Sequence, residues 1–235
     1  MRQVAAGLTI DWPLPRADDP CAHEYAFGFR RVGPESLLPK CLLIVPALFE
    51  EANRTRRMLV DTMRELHAHG PDVILADLPG CNESLAGFSV QTLDSWRAAM
   101  ADAAVHFGAT HVLAVRGGAL VAPANLPGWA LEPAKGAGLL RQLLRARVMG
   151  SREAGREEKV EDLLAQGRVE GLDLAGYRFG AELIAGLETA HPAPHLVPIT
   201  LSEIGGAALW LRSEPGEDAD QSAALARKLA AAICG

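Results

Sequence analysis

The stretch CLLIVPALFEEANRTRRM, residues 41–58, joins a run of apolar residues to the beginning of a helical pattern. Its first five residues are all apolar, and Pro46 ends the run. A continuous apolar run of this length is typical of a central strand that is covered on both faces. From residue 53 to residue 69 apolar side chains recur at helical spacing, until a Gly-Pro pair at 70–71 ends the pattern. The stretch therefore predicts a buried strand followed by an amphipathic helix.

The same strand–helix unit recurs along the chain. Central strands are predicted at 41–46, 72–77, 111–115, 128–132, 195–201 and 207–212. Helices are predicted at 53–69, 90–107, 136–149, 160–166, 179–189 and 220–233, and two β-prone stretches, 8–12 and 25–32, precede the first central strand. Alternation with short connections favours an α/β fold with a mostly parallel sheet. Residues 136–190 interrupt the alternation and are predicted to be a helical insertion within one domain that spans 1–235.

Composition and charge exclude several classes of protein. Of 235 residues, 49% are apolar and 22% are charged, which is the balance of a globular protein. The formal net charge of −6 gives no electrostatic reason to expect nucleic-acid binding. The longest apolar run is too short for a transmembrane segment, and the N-terminus lacks the pattern of a secretion signal, so a cytoplasmic location is expected. Four scattered cysteines without a CxxC pair suggest neither a zinc site nor a disulfide framework.

Function in open α/β sheets lies beyond the carboxyl ends of the strands, and three loops there are informative. The first is 46–57, within the stretch quoted above. Residues 77–84 read DLPGCNES, which looks like the D-x-P-G-x-G-x-S turn of α/β-hydrolases. Residues 114–118 read AVRGG, at the place where that fold carries its nucleophile elbow, G-x-S-x-G. The nucleophile position is then Arg116, whose guanidinium stays protonated and cannot attack a carbonyl.

A narrower resemblance covers the chain from about residue 40 to its end. The pattern P-x-x-x-E-E-x-N-x-x-R-R-M at 46–58, then D-L-x-G-C-x-x-S at 77–84 and an elbow centred on arginine, resembles the exosortase A system-associated hydrolase 2 family. The segments 132–147 and 171–177 also fit it. The resemblance implies an α/β-hydrolase fold with 136–190 as a cap over the carboxyl ends of the strands, and a role in a bacterial exosortase and exopolysaccharide system. The chain departs from the pattern at Asn82, where a glycine is usual, and at Pro123 and Pro127 soon after the elbow.

A catalytic triad needs a nucleophile, a base and an orienting acid. Glu203 stands in the acid slot that the resemblance implies, but the base slot before the last helix is empty, because His195 is the last histidine. The favoured interpretation is therefore a hydrolase fold without hydrolase catalysis. The alternative is catalysis by Cys81 or Ser84 on the loop after the second central strand. A reactive Cys81 needs a neighbouring cation or base, for which Arg116, His23, His67 and His106 are the candidates. The competing interpretation is that Cys81 is a turn residue and that Ser84 bonds its own turn backbone.

The charge of Arg116 leads to a prediction about its partner. A buried guanidinium without a counter-ion costs several kcal/mol, so a carboxylate must approach it if it is shielded from water. We predict an ion pair with Glu50 or Glu51, in the loop after the first central strand; otherwise Arg116 reaches solvent and both glutamates only begin a helix.

No cofactor or metal is predicted. His191 and His195 have metal-like spacing, but Pro192 and Pro194 prevent a shared helical face. The arginines of the 136–149 helix form either a solvated face or a site for an anionic ligand.

Two classes of function remain. One is a pseudo-enzyme that binds a small-molecule or lipid-linked ligand or a protein of the exosortase/exopolysaccharide system. The other is an unusual hydrolase or acyltransferase acting on a small ester, thioester or lipid-linked substrate. Association into a homo-oligomer is left open.

Overall fold

The computed structural model describes residues 7–16, 19–31 and 40–235. The strands are β1 (Leu8–Pro13), β2 (His23–Phe29), β3 (Cys41–Val45), β4 (Asp72–Ala76), β5 (His111–Val115), β6 (Gly128–Leu131), β7 (Leu172–Leu174), β8 (Tyr177–Phe179) and β9 (Val197–Ile199). The α-helices are α1 (Glu50–Ala68), α2 (Leu93–His106), α3 (Gly136–Glu153), α4 (Val160–Glu170), α5 (Ala181–Thr189), α6 (Leu201–Ile204) and α7 (Ala219–Cys234). Residue 32, at the end of the predicted second β-prone stretch, lies outside the described residues, as do residues 1–6.

Seven strands form the main sheet in the order β1-β2-β4-β3-β5-β6-β9. Five neighbouring strands run parallel to one another: β4, β3, β5, β6 and β9. At one edge, β2 is antiparallel to β4, and β1 is antiparallel to β2. The prediction of a mostly parallel sheet is therefore confirmed. Because β3 lies between β4 and β5, the loops that follow these three strands lie side by side at one end of the sheet.

The apolar runs are explained by helices on both faces of the sheet. Leu43 and Val45 of β3 belong to the cluster that contains α2, whereas Leu42 and Ile44 belong to the cluster that contains α1 and α7. All five residues of β3 are buried. Each fully buried side chain of this size stabilises the fold by about 1.5–3 kcal/mol.

The prediction of a last strand at 207–212 is wrong. A short 3₁₀ turn occupies Leu209–Leu211 instead, and the predicted strand at 195–201 is reduced to the three residues of β9. A further strand would have to pair with β9, but Pro198 has no N–H to donate to it. Gly205 and Gly206, with φ of +73° and +80°, turn the chain away, and Leu209 and Trp210 are buried through the 3₁₀ turn.

The segment 136–190 comprises α3, α4, the β7–β8 hairpin and α5. A Cβ on Gly117, just after β5, would lie 2.6 Å from Leu139 of α3 and 2.9 Å from Leu48, which follows β3. Phe179 of the hairpin packs against Phe49, with 4.9 Å between their ring centroids. The segment thus contacts the loops at the carboxyl ends of β3 and β5. Within the described ranges, no helix combines the length and apolar character needed to cross a bilayer.

Candidate functional site

Arg116 is the first residue after β5 and lies at the apex of a tight turn. Its φ is +51°, a left-handed conformation that residues other than glycine rarely adopt. The turn passes close to the end of β3, because a Cβ on Gly118 would lie only 2.3 Å from the carbonyl oxygen of Pro46. Glycine is therefore required at 118. The chain forms the sharp strand-to-helix turn of an elbow, with an arginine at its centre.

The guanidinium of Arg116 is held by a two-pronged ion pair. Its Nε donates to Oε2 of Glu51 at 3.1 Å, and its Nη2 donates to Oε1 of the same carboxylate at 3.2 Å. The side chains of Arg116 and Glu51 are only 15% and 5% exposed. The predicted ion pair is confirmed, with Glu51 as the partner. A fork of this kind adds directional specificity to the charge attraction.

Two further contacts complete the surroundings of Arg116. Its Nη1 donates to the main-chain carbonyl of Glu132 at 2.8 Å, and its Cζ lies 4.6 Å from the ring centroid of Trp210. A guanidinium at this distance from an indole face gains a cation–π attraction. Arg116 therefore connects α1, the end of β6 and the 3₁₀ turn before α7.

Glu50 does not contribute to this ion pair. Its carboxylate accepts from Nη2 of Arg54 at 2.9 Å, and its side chain is 47% exposed. Consecutive residues of a helix point about 100° apart, so only one of two adjacent glutamates can face Arg116. Both lie in the first turn of α1, where a negative charge suits the helix dipole.

Glu132 and Trp210 are site residues that the sequence did not reveal. Glu132 follows β6 with a φ of +44°, and its Oε1 accepts from the backbone N–H of Leu201 at 2.7 Å. Its position at the end of a predicted strand was the available signal. Trp210 fell within the strand wrongly predicted at 207–212, so its side chain could not be assigned to this end of the sheet.

Cys81 has the chemistry of an inert thiol. It is partly buried on the loop after β4. Burial, and after it the negative charges of Asp77 and Glu24, raise the pKa of the Cys81 thiol to about 12. Because the nucleophilic form is the thiolate, these surroundings oppose attack by this residue at neutral pH.

Ser84 stabilises its own turn. Its Oγ accepts from the backbone N–H of Gly80 at 2.8 Å and from that of Ala86 at 3.2 Å. Asn82, two residues earlier, has a φ of +51° and therefore takes the backbone conformation for which a glycine is usual. Its Nδ2 donates to Asp77 at 2.6 Å, so the loop is closed by side-chain to backbone and side-chain to side-chain hydrogen bonds.

Glu203 serves as a helix cap. Its Oε2 accepts from the backbone N–H of Thr200 at 2.7 Å, and its Oε1 pairs with Nζ of Lys228 at 2.8 Å. Lys228, and after it the Thr200 N–H, lower the pKa of Glu203 to about 2. None of its hydrogen bonds reaches the group around Arg116.

Five aromatic side chains pack together between the loop after β3, α2 and the β7–β8 hairpin. The rings of Phe49, Phe88, Trp96, Tyr177 and Phe179 pack together, with centroids 4.7 Å apart for Phe88 and Tyr177. Two cavities of about 20 Å³ and about 10 Å³ remain beside this cluster. A cavity of that size holds about one water molecule, so neither has room for an ester-sized ligand.

Among residues 7–16, 19–31 and 40–235, no group of three or more His, Cys, Asp or Glu side chains is arranged to hold a metal ion. No protein-family model matches the chain. No curated protein matches it either.

Solved structures do resemble it. The crystal structure of "Putative hydrolase from Agrobacterium vitis S4" aligns with 97% of this chain and 99% of its own length, at 13% identity and a TM-score of 0.53. The chain has an α/β-hydrolase fold. The bottromycin epimerase BotH in complex with bottromycin A2 aligns over 96% of this chain and 99% of its own, at 13% identity and a TM-score of 0.47. Est1E of Butyrivibrio proteoclasticus with ferulic acid bound covers 72% of this chain and 68% of its own, at 17% identity and a TM-score of 0.47. At 13% identity, the alignment with the Agrobacterium vitis protein is evidence for the fold alone.

Proposed function

We propose that this α/β-hydrolase-fold chain is non-catalytic and acts by binding a ligand or a partner protein in a bacterial exosortase/exopolysaccharide system, in the cytoplasm. The observation that carries the loss of catalysis is the fork between Arg116 and Glu51. The assignment to that system rests on the resemblance of segments 46–58, 77–84, 132–147 and 171–177.

The fork removes two requirements of acyl chemistry at once. The nucleophile position holds a guanidinium, which remains protonated and has no lone pair to offer. The loop after β3, which supplies oxyanion-hole contacts in this fold, leads into α1, whose first turn brings the Glu51 carboxylate to the elbow. A carboxylate beside a developing oxyanion would raise the energy of the transition state, because the two negative charges repel. Catalysis requires hydrogen-bond donors at that point instead.

The base is also missing. The segment before α7 carries Trp210, and the indole N–H only donates, so it cannot accept a proton from a nucleophile. No side chain after His195 replaces the histidine. The two cavities beside the aromatic cluster are too small for an ester, which favours contact at the surface of the molecule.

Activity-based labelling tests this proposal. The purified chain is treated with a fluorophosphonate probe and assayed against short p-nitrophenyl esters and acyl thioesters, with Cys81→Ala and Ser84→Ala variants alongside. We expect no labelled serine, and turnover that equals the buffer rate in all three proteins. Stoichiometric labelling of any serine, or an ester or thioester turnover that disappears in either variant, would establish the alternative of an unusual hydrolase or acyltransferase.

A further inference from the structure

One face of α3 carries a straight row of exposed residues. Its members are spaced by three, four, four and three residues, which keeps them on one side of the helix; they are Gly138, Arg141, Arg145, Met149 and Arg152. α3 contains four arginines and one acidic residue, Glu153 at its end, although the chain as a whole has 29 acidic residues and a net charge of −6. We call the exposed row formed by residues 138, 141, 145, 149 and 152 the arginine row.

The arginines of the row lack a counter-ion. Arg141, Arg145 and Arg152 make neither a side-chain hydrogen bond nor an ion pair with any residue in the described part of the chain. Arg147, on another face of α3, differs because both its Nε and its Nη2 bind Glu158, at 2.9 Å and 2.8 Å. The fold thus neutralises the arginine beside the row and leaves the row itself charged.

Two neighbours in the row favour close contact with another molecule. Met149 is 66% exposed and adds an apolar surface between the charges. A Cβ on Gly138 would meet nothing within 4 Å, so internal packing gives no reason for a glycine within this helix. Glycine costs a helix up to about 1 kcal/mol relative to alanine, and here it leaves the helix backbone open to a partner's approach.

We propose that the arginine row docks an acidic amphipathic helix of a partner protein. Residues four apart on a helix lie about 6 Å apart along its axis, so glutamates or aspartates at the same spacing on a second helix can each face one guanidinium. The chain's net charge of −6 disfavours extended polyanions, because an anionic bilayer or polysaccharide would also meet the acidic remainder of the surface. A narrow row of positive charges on an acidic protein is complementary to a partner helix that carries a narrow row of negative charges. This inference deepens the proposed function, on which it rests, by naming the kind of partner.

A peptide-binding measurement tests the docking surface. The probe is a synthetic, fluorescently labelled helical peptide with glutamates along one face at three- and four-residue spacing and leucine between them. A peptide of the same composition, with its glutamates distributed around the helix, is the matched control. We expect the aligned peptide to bind the whole chain at least fivefold more tightly than the scrambled one, and the difference to shrink as salt is raised.

Matched variants separate the row from overall charge. Arg141→Gln/Arg145→Gln should weaken binding of the aligned peptide about fivefold to tenfold. Arg212→Gln/Arg227→Gln removes the same charge from exposed arginines elsewhere and should change it less than twofold. Equal weakening by both pairs, or equal binding of the two peptides, overturns the proposal. So does tighter, row-dependent binding to phosphatidylglycerol vesicles or to alginate. Serine labelling by fluorophosphonate is unaffected by these substitutions, so a failure here is distinct from a failure of the non-catalytic assignment.

Discussion

Replacing Arg116 by methionine removes the positive charge that pairs with the buried carboxylate of Glu51. Glu51 is 5% exposed, and the Arg116 guanidinium supplies both donors of the fork. In Arg116→Met the carboxylate would remain buried without its partner, which costs about 3–5 kcal/mol of unfolding free energy. Because 1 kcal/mol corresponds to about 2–4 °C in a protein of this size, the melting temperature should fall by roughly 10 °C.

The assay is thermal and urea unfolding of Arg116→Met and of two further variants. Arg116→Met/Glu51→Gln should recover about 1–3 kcal/mol relative to the single mutant, because it removes the charge that was left alone. The control is Arg168→Met. Arg168 forms the same kind of fork with Glu188, at 2.8 Å and 2.6 Å, but its side chain is 53% exposed. Breaking a surface pair of this kind costs less than about 1 kcal/mol. If Arg116→Met melts within 2 °C of the wild type, or no more than Arg168→Met does, the reasoning about burial is refuted.

Three other predictions follow from particular sites. Iodoacetamide at pH 7.5 should alkylate exposed Cys21 within minutes and leave Cys81, whose pKa is about 12, unmodified in peptide maps; rapid modification of Cys81 would contradict the assigned burial. Gly118→Ala should lower the free energy of unfolding by about 2–3 kcal/mol, because its Cβ would lie 2.3 Å from a carbonyl oxygen. Gly150→Ala, with open space around it, should raise the free energy of unfolding by about 0.5–1 kcal/mol. Similar shifts in melting temperature for the two variants would show that the close approach at residue 118 does not matter. The pKa of Glu203 is lowered to about 2 from 4.5, so its contribution to stability is present above pH 4.5 and is lost as the pH falls through 2. Glu203→Gln should therefore melt below the wild type at pH 6 and alongside it at pH 2, and a constant difference would exclude the ionic contribution.

Much of the sheet could be predicted because its strands are buried on both faces. Five predicted central strands are present, and the run at 41–46 is one of them. Apolar runs of this kind carry their signal in the chain itself. The segment 207–212 is also mostly apolar, but a strand there depends on a neighbouring strand, and Pro198 in β9 lacks the N–H to pair with it. Pairing of that kind is not visible in the residues of the segment alone.

The sequence was enough to predict that Arg116 pairs with a carboxylate, but not to predict all the groups that contact Arg116. The need for a carboxylate near Arg116 follows from the permanent charge of a guanidinium, and Glu51 meets it. The choice between Glu50 and Glu51 depends on where α1 begins, three residues earlier than predicted. Glu132 contributes its main-chain carbonyl, and a main-chain contact leaves no residue-specific trace in a sequence.

The sheet ends at β9, and this has a consequence for solubility during folding. An exposed edge strand offers unpaired N–H and C=O groups on which another chain can assemble, and long flat edges are the most hazardous. β9 has three residues, and Pro198 at its centre withdraws one of the donors. The same proline that disfavours a further strand within the chain also disfavours pairing with a strand from another molecule. Termination of the sheet and resistance to edge-to-edge aggregation therefore have one cause.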